Sequence, residues 1–155
     1  MQKMILKQEI MDVLKPDNYQ EKINSYSKAD WAPLLDLIPE IEKTEKFDET
    51  PDIELIAEDE YLVPNCEVNE IVYRFLDVVY AIPIIIDFDW PGWDEGRRMA
   101  GDKDFDFDTI DIPTKCKLIT AFVRNDRFYD GVLAGAFEEG IILKILKSIR
   151  NQLVA

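Results

Sequence analysis

Arg124 and Arg127 stand three residues apart at the end of an apolar run containing Leu118, Ile119, Phe122 and Val123. At i and i+3, two guanidinium groups share one side of a helix. There they can grip a phosphate, a carboxylate ligand or an acid of the chain itself. With 32 Asp and Glu in the sequence, an internal acid is easily found, so the favoured expectation is that both arginines tie the helical layer together. Phe128 is then expected to pack inward, and Gly131 to permit a tight turn. A second constellation is Asp87-Phe88-Asp89-Trp90-Pro91-Gly92-Trp93-Asp94-Glu95. Its tryptophans can stack on a sugar or a cation while the carboxylates accept hydrogen bonds. Paired carboxylates also serve as general acid and base, as in glycosidases. The same residues suffice to lock a helix entrance, with Trp90 and Trp93 one turn apart as core anchors, and this structural role is the favoured one. Asp87, Asp89, Trp90, Trp93, Arg124 and Arg127 are thus candidates for a ligand-binding site or a structural network. None is given a catalytic role.

Other chemistries fail on residue type or spacing. The chain has no histidine, which removes the commonest general base, the usual hydrolase triads and imidazole-based zinc sites. Cys66 and Cys116 are the only cysteines, and two isolated thiols read as reduced. Cys116 lies near the start of a helix, where a thiol pKa can be lowered, but its apolar neighbours suit a small core residue better. The run Asp102-x-Asp104-x-Asp106-x-Asp108 invites a calcium loop, which needs Gly at position six and Glu at position twelve. Counting from Asp102 those positions hold Phe107 and Pro113; counting from Asp104 they hold Thr109 and Lys115. A solvated acidic loop anchored by Phe105 and Phe107 is expected instead. No metal and no cofactor is expected, and an enzyme is disfavoured.

Charge narrows the choice of partners. The net charge of −14 is uneven: residues 113–155 carry seven Lys/Arg and four Asp/Glu, whereas residues 1–112 carry eleven and twenty-eight. The acidic part would repel nucleic-acid phosphates and anionic lipids, so neither is an expected partner. No apolar run reaches the ~18–20 residues needed to cross a bilayer. The opening residues meet charge too early for a signal peptide, so a cytoplasmic protein is expected.

These residues need elements to position them. At 155 residues the chain is expected to form a single domain, burying roughly 70% of its unfolded surface. Helical spacing runs over Met4–Leu14, and a short helix is expected at Asn18–Tyr26. It returns over Ala29–Lys46, where Asp30 or a neighbour should cap the start and Pro39 should kink or split the helix. An acidic stretch at about 45–65 is either a loop or a two-stranded hairpin built from Ile53–Ile56 and Tyr61–Val63. Glu67–Tyr80 has a clear buried face. Ile82–Ile86 is a buried strand or an extended segment crossing the core. Pro91 suits a helix start, Gly101 its end, and an acidic loop follows at about 102–111. Pro113 opens the next helix, and Ile141–Leu153 is amphipathic. The fold class is mainly α: a compact bundle of five to six helices.

Three of these segments are similar to landmarks of small bacterial proteins catalogued as a domain of unknown function. They are Leu34-Leu35-Asp36-Leu37-Ile38-Pro39-Glu40-Ile41-Glu42, Phe88-Asp89-Trp90-Pro91-Gly92-Trp93, and Arg124-x-x-Arg127-Phe128-x-x-Gly131-x-Leu133-x-x-Ala136-Phe137-Glu138-x-Gly140 followed by Ile145-Leu146. The resemblance spans about residues 34–152. It implies a compact helical domain and brings no reaction, substrate or catalytic residue. The expected role is a non-catalytic interaction or accessory module with an unspecified protein partner. One alternative is a small-molecule-binding protein or carboxylate-dependent enzyme using the Trp/Asp/Arg residues. Another is an acidic mimic of nucleic acid that occupies a basic protein groove.

Overall fold

A computed structural model describes residues 13–62 and 67–154. The helix expected over Met4–Leu14 lies outside the described residues up to residue 12. Its last two positions are not helical: Leu14 pairs in parallel with Ile86. The Leu14 N–H donates to the Ile85 carbonyl at 2.8 Å, and the Asp87 N–H donates to the Leu14 carbonyl at 2.7 Å.

The protein is mainly helical. Helix α1 spans Tyr19–Asn24, α2 Lys28–Leu35 and α3 Ile38–Lys43. The helix expected over Ala29–Lys46 is therefore two helices, and its cap is Ser27 rather than Asp30. The Ser27 hydroxyl accepts from the Asp30 N–H, while the Asp30 carboxylate accepts from the Ser27 N–H at 2.8 Å. Reciprocal capping of this kind satisfies two donors that a helix start leaves unpaired. Pro33 consequently lies inside α2. Pro39, which has no N–H to donate, stands in the first two positions of α3.

Glu54–Ala57 (β1) pairs antiparallel with Glu60–Leu62 (β2) across a turn in which Asp59 has φ 65°. Leu55 and Tyr61, partners across the pair, are exposed. Helix α4, Glu70–Ala81, starts at Asn69, whose side chain accepts from the Ile71 N–H at 3.0 Å. It buries Ile71, Val72, Phe75 and Val79. The chain then crosses the core in extended form through Ile84, Ile85 and Ile86, all buried.

Helix α5 spans Asp94–Gly101 and begins three residues after the expected Pro91. Pro91 and Gly92 form a turn instead: the Trp93 N–H donates to the Trp90 carbonyl at 3.2 Å. After a 3₁₀ turn at Phe107–Thr109 come α6 (Ile112–Asp126), α7 (Val132–Glu138) and α8 (Ile141–Val154). Asp111 caps α6 by accepting from the Thr114 N–H at 2.9 Å. Gly131, at φ 99°, opens α7, a conformation glycine adopts without a Cβ penalty. Turns divide segments that the hydrophobic period runs together, as between α2 and α3.

Helix α6 is the axis of the packing. It contacts α1, α5, α7 and α8, and α8 in turn contacts α2, α3 and α7. Phe137 of α7 stacks on Phe47 and meets Phe75 edge-on, with ring centroids 5.1 and 5.2 Å away. Glu138 fastens the same corner by accepting from the Phe47 and Asp48 N–H groups at 2.7 and 3.0 Å.

Candidate functional site

The exit of α6 and the 86–93 segment enclose two neighbouring cavities. The first is a cleft of about 360 Å³ lined by Val13, Lys15, Ile86, Asp87, Phe88, Trp90, Arg124, Arg127 and Phe128. Its size lies near the lower end of the roughly 300–1,000 Å³ typical of small-molecule sites. Three cationic side chains line it together with one carboxylate. Lys15 arrives through the Leu14–Ile86 pairing, Asp87 through the residue that follows it, and the arginines through the last turn of α6 and its cap. Arg124 is half-buried, whereas Lys15, Asp87 and Arg127 are exposed.

The internal acid expected for the arginines does not appear among the described residues. The ion pairs there are Arg74–Glu40, Arg97–Asp94 and Lys147–Glu42. Arg127 instead donates to the Tyr80 hydroxyl at 3.1 Å, a neutral partner that holds the guanidinium without cancelling its charge. Phe128 does not pack inward: it is 72% exposed. The helix ends at Asp126, and the turn beyond it carries Phe128 outward, its ring centroid 6.0 Å from that of Trp90. Asp126 holds this turn by accepting from the Gly131 and Leu133 N–H groups at 3.1 and 3.0 Å.

The second cavity, of about 200 Å³, is lined by Trp90, Trp93, Gly96, Arg97, Ala100, Leu118, Ala121, Phe122, Asn125 and Val132. Trp90 belongs to both. The two tryptophans are not successive anchors on one helix as expected, because α5 begins only after Trp93. Trp93 is fixed on three sides. Phe88 meets it edge-on with centroids 5.6 Å apart, and the Lys117 ammonium lies 4.5 Å from its ring centre. Gly96 lies beneath, where a Cβ would fall 2.3 Å from the ring. Only glycine leaves the indole that space.

Of the six candidates, Asp87, Trp90, Arg124 and Arg127 meet in the cleft, and Trp93 lies in the adjoining cavity. Asp89 stays in the turn, where it accepts from the Gly92 N–H at 3.3 Å, and lines neither. Lys15 and Tyr80 escaped the sequence reading. Each is far from the arginines in the chain and carries no local pattern.

The other end of α6 is closed. Cys116 is fully buried, and burial pushes its thiol pKa well above the ordinary range, which leaves it the inert core residue expected. In the acidic loop, Asp102 and Asp106 accept from the N–H groups of Asp104 and Asp108, each at 3.0 Å. Phe105 and Phe107 pack edge-on at 5.1 Å.

No curated protein and no solved structure matches the chain. Among the described residues, no helix is long and apolar enough to cross a membrane. A family described as being of unknown function, DUF6508, matches residues 26–154. That match takes in nearly the whole chain, and the protein belongs to this family.

Proposed function

We propose that this protein is a non-catalytic binding module that receives an anionic group in the cleft between the 86–90 segment and the end of α6. The observation that carries this reading is the gathering of Lys15, Arg124 and Arg127 around one cavity with Asp87 as the one acidic lining residue. In a chain of net charge −14, such a cluster creates a local positive field that attracts small anions. The surrounding negative charge disfavours an extended polyanion such as nucleic acid. The arginine forks suit the flat oxygens of a carboxylate or phosphate, and Trp90 supplies a face for the remainder of the ligand. A reducing, cytoplasmic setting is part of the proposal and agrees with the free thiol of Cys116.

The test is titration with inorganic phosphate and with acetate, followed by tryptophan fluorescence. A saturable change at millimolar anion, lost in the Arg124→Ala/Arg127→Ala double variant and in Trp90→Phe, is expected. No saturable response, or an unchanged response in the double variant, would remove the reading. A second reading, docking of a protein partner, is supported by Phe128, which lines the cleft, and its neighbour Tyr129, both exposed. Large aromatic side chains there are suited to partner contact.

A further inference from the structure

The cleft and the smaller cavity share Trp90, and both run along α6. We infer that the ligand is an arylalkyl anion: its acid group sits with Lys15, Arg124 and Arg127, and its ring crosses Trp90 into the smaller cavity. This rests on the anion-binding reading and adds the class of molecule.

The smaller cavity has the size and chemistry for one ring. A cavity of about 150 Å³ with apolar walls admits benzene, and this one measures about 200 Å³. Its walls include Trp93, Leu118, Ala121, Phe122 and Val132. The Arg97 fork is already engaged by Asp94 and by the Pro91 carbonyl at 2.8 Å. An anion therefore has less to gain here than in the cleft, where the cations lack such acidic partners among the described residues. The cavity is also preformed, because Phe88, Lys117 and the missing Cβ of Gly96 hold the Trp93 indole in place.

Spacing connects the two halves. Ala121 in the apolar cavity and Arg124 in the cleft are three residues apart on α6. At 1.5 Å per residue their backbone positions differ by about 4.5 Å along the axis, so the spacer expected between ring and acid is a short alkyl link. Trp90 then offers an aromatic surface for offset or edge-on contact during the crossing.

Three probes separate the parts: 3-phenylpropionate carries ring and charge, acetate the charge alone, and 3-phenylpropanol the ring alone. Binding is measured by calorimetry and competition. At neutral pH 3-phenylpropionate should bind at least about tenfold more tightly than either of the others, since apolar burial adds to ion pairing. Ala121→Leu fills the apolar cavity from α6, and Ala100→Leu fills it independently from α5. Either folded variant should bring 3-phenylpropionate down to the affinity of acetate while leaving acetate unchanged. Equal binding of 3-phenylpropionate and acetate, or full retention of its advantage in a folded filled variant, overturns the arylalkyl inference and leaves the anion site standing. Equal binding of 3-phenylpropanol and 3-phenylpropionate overturns the anion site itself. So does the failure of all three probes to bind, and the inference falls with it.

Discussion

Helix α6 carries cations at both ends, and the two ends treat them in opposite ways. Lys115, in the first turn, is 0% exposed, and its Nζ has no hydrogen-bond partner among the described residues. Arg124 and Arg127, in and beyond the last turn, line a cleft, and among the described residues the Arg127 side chain donates its hydrogen bond to a tyrosine hydroxyl. Burial accounts for the contrast. Desolvation lowers the pKa of Lys115 despite the nearby carboxylates of Asp108, Asp111 and Asp106, because removing an ammonium from water costs more than those charges return. Arg127 is exposed at the rim, so water still reaches its guanidinium. Thus the residue type gives the chemistry available, and the end of the helix decides whether anything outside can use it.

The largest expected effect tests the burial on which this comparison rests. Ile119 is fully buried in the middle of α6, and Ile119→Ala should cost about 2–5 kcal/mol in chemical denaturation. A loss of under 1 kcal/mol would mean that this stretch is far less tightly packed than its burial indicates.

A smaller effect, of opposite sign, belongs to Lys115. Lys115→Met keeps the side-chain length and removes the unpartnered amine, so at neutral pH it should stabilise the protein by about 1–3 kcal/mol. The pH dependence follows from the lowered pKa. The fold penalises the charged form, so the penalty is present while the unfolded lysine is protonated. It fades as pH climbs toward 10.5, the ordinary lysine value, and the advantage of methionine should shrink with it. Destabilisation by Met at neutral pH would show instead that Lys115 holds the acidic loop, making both ends of α6 structural.

The smallest effect should come from Arg127→Ala, below ~0.5 kcal/mol in stability, the range of ordinary surface substitutions. A cost of 2 kcal/mol or more would restore the arginines to the structural network that composition favours, and would erase the difference between the ends.

What was legible in the sequence follows the same division between local and distant causes. The helical character, the buried faces of 67–80 and 141–153, and the opening of α6 near Pro113 rest on period and capping within a few residues, and these appear in the structure. Of the strand or extended segment expected over Ile82–Ile86, the part Ile84–Ile86 is buried as its β-branching indicates, whereas Ile82 ends α4 in a helical conformation. The site was legible only in part. Trp90 and the two arginines stand out by type, but their partners do not, because 32 carboxylates make an ion pair statistically attractive wherever the chain leads. Lys15 and Tyr80 reach the arginines only through tertiary packing. Phe128 looked like a core residue by chemistry, and only the turn after Asp126 turns it outward.

The pairing of Leu14 with Ile86 has a mechanical consequence. Two hydrogen bonds, at 2.8 and 2.7 Å, link the backbone next to Lys15 to the segment bearing Asp87 and Trp90. A pull on the backbone at Leu14 loads this two-bond clasp directly. Force carried by that backbone would therefore act on one jaw of the cleft, the segment bearing Asp87 and Trp90.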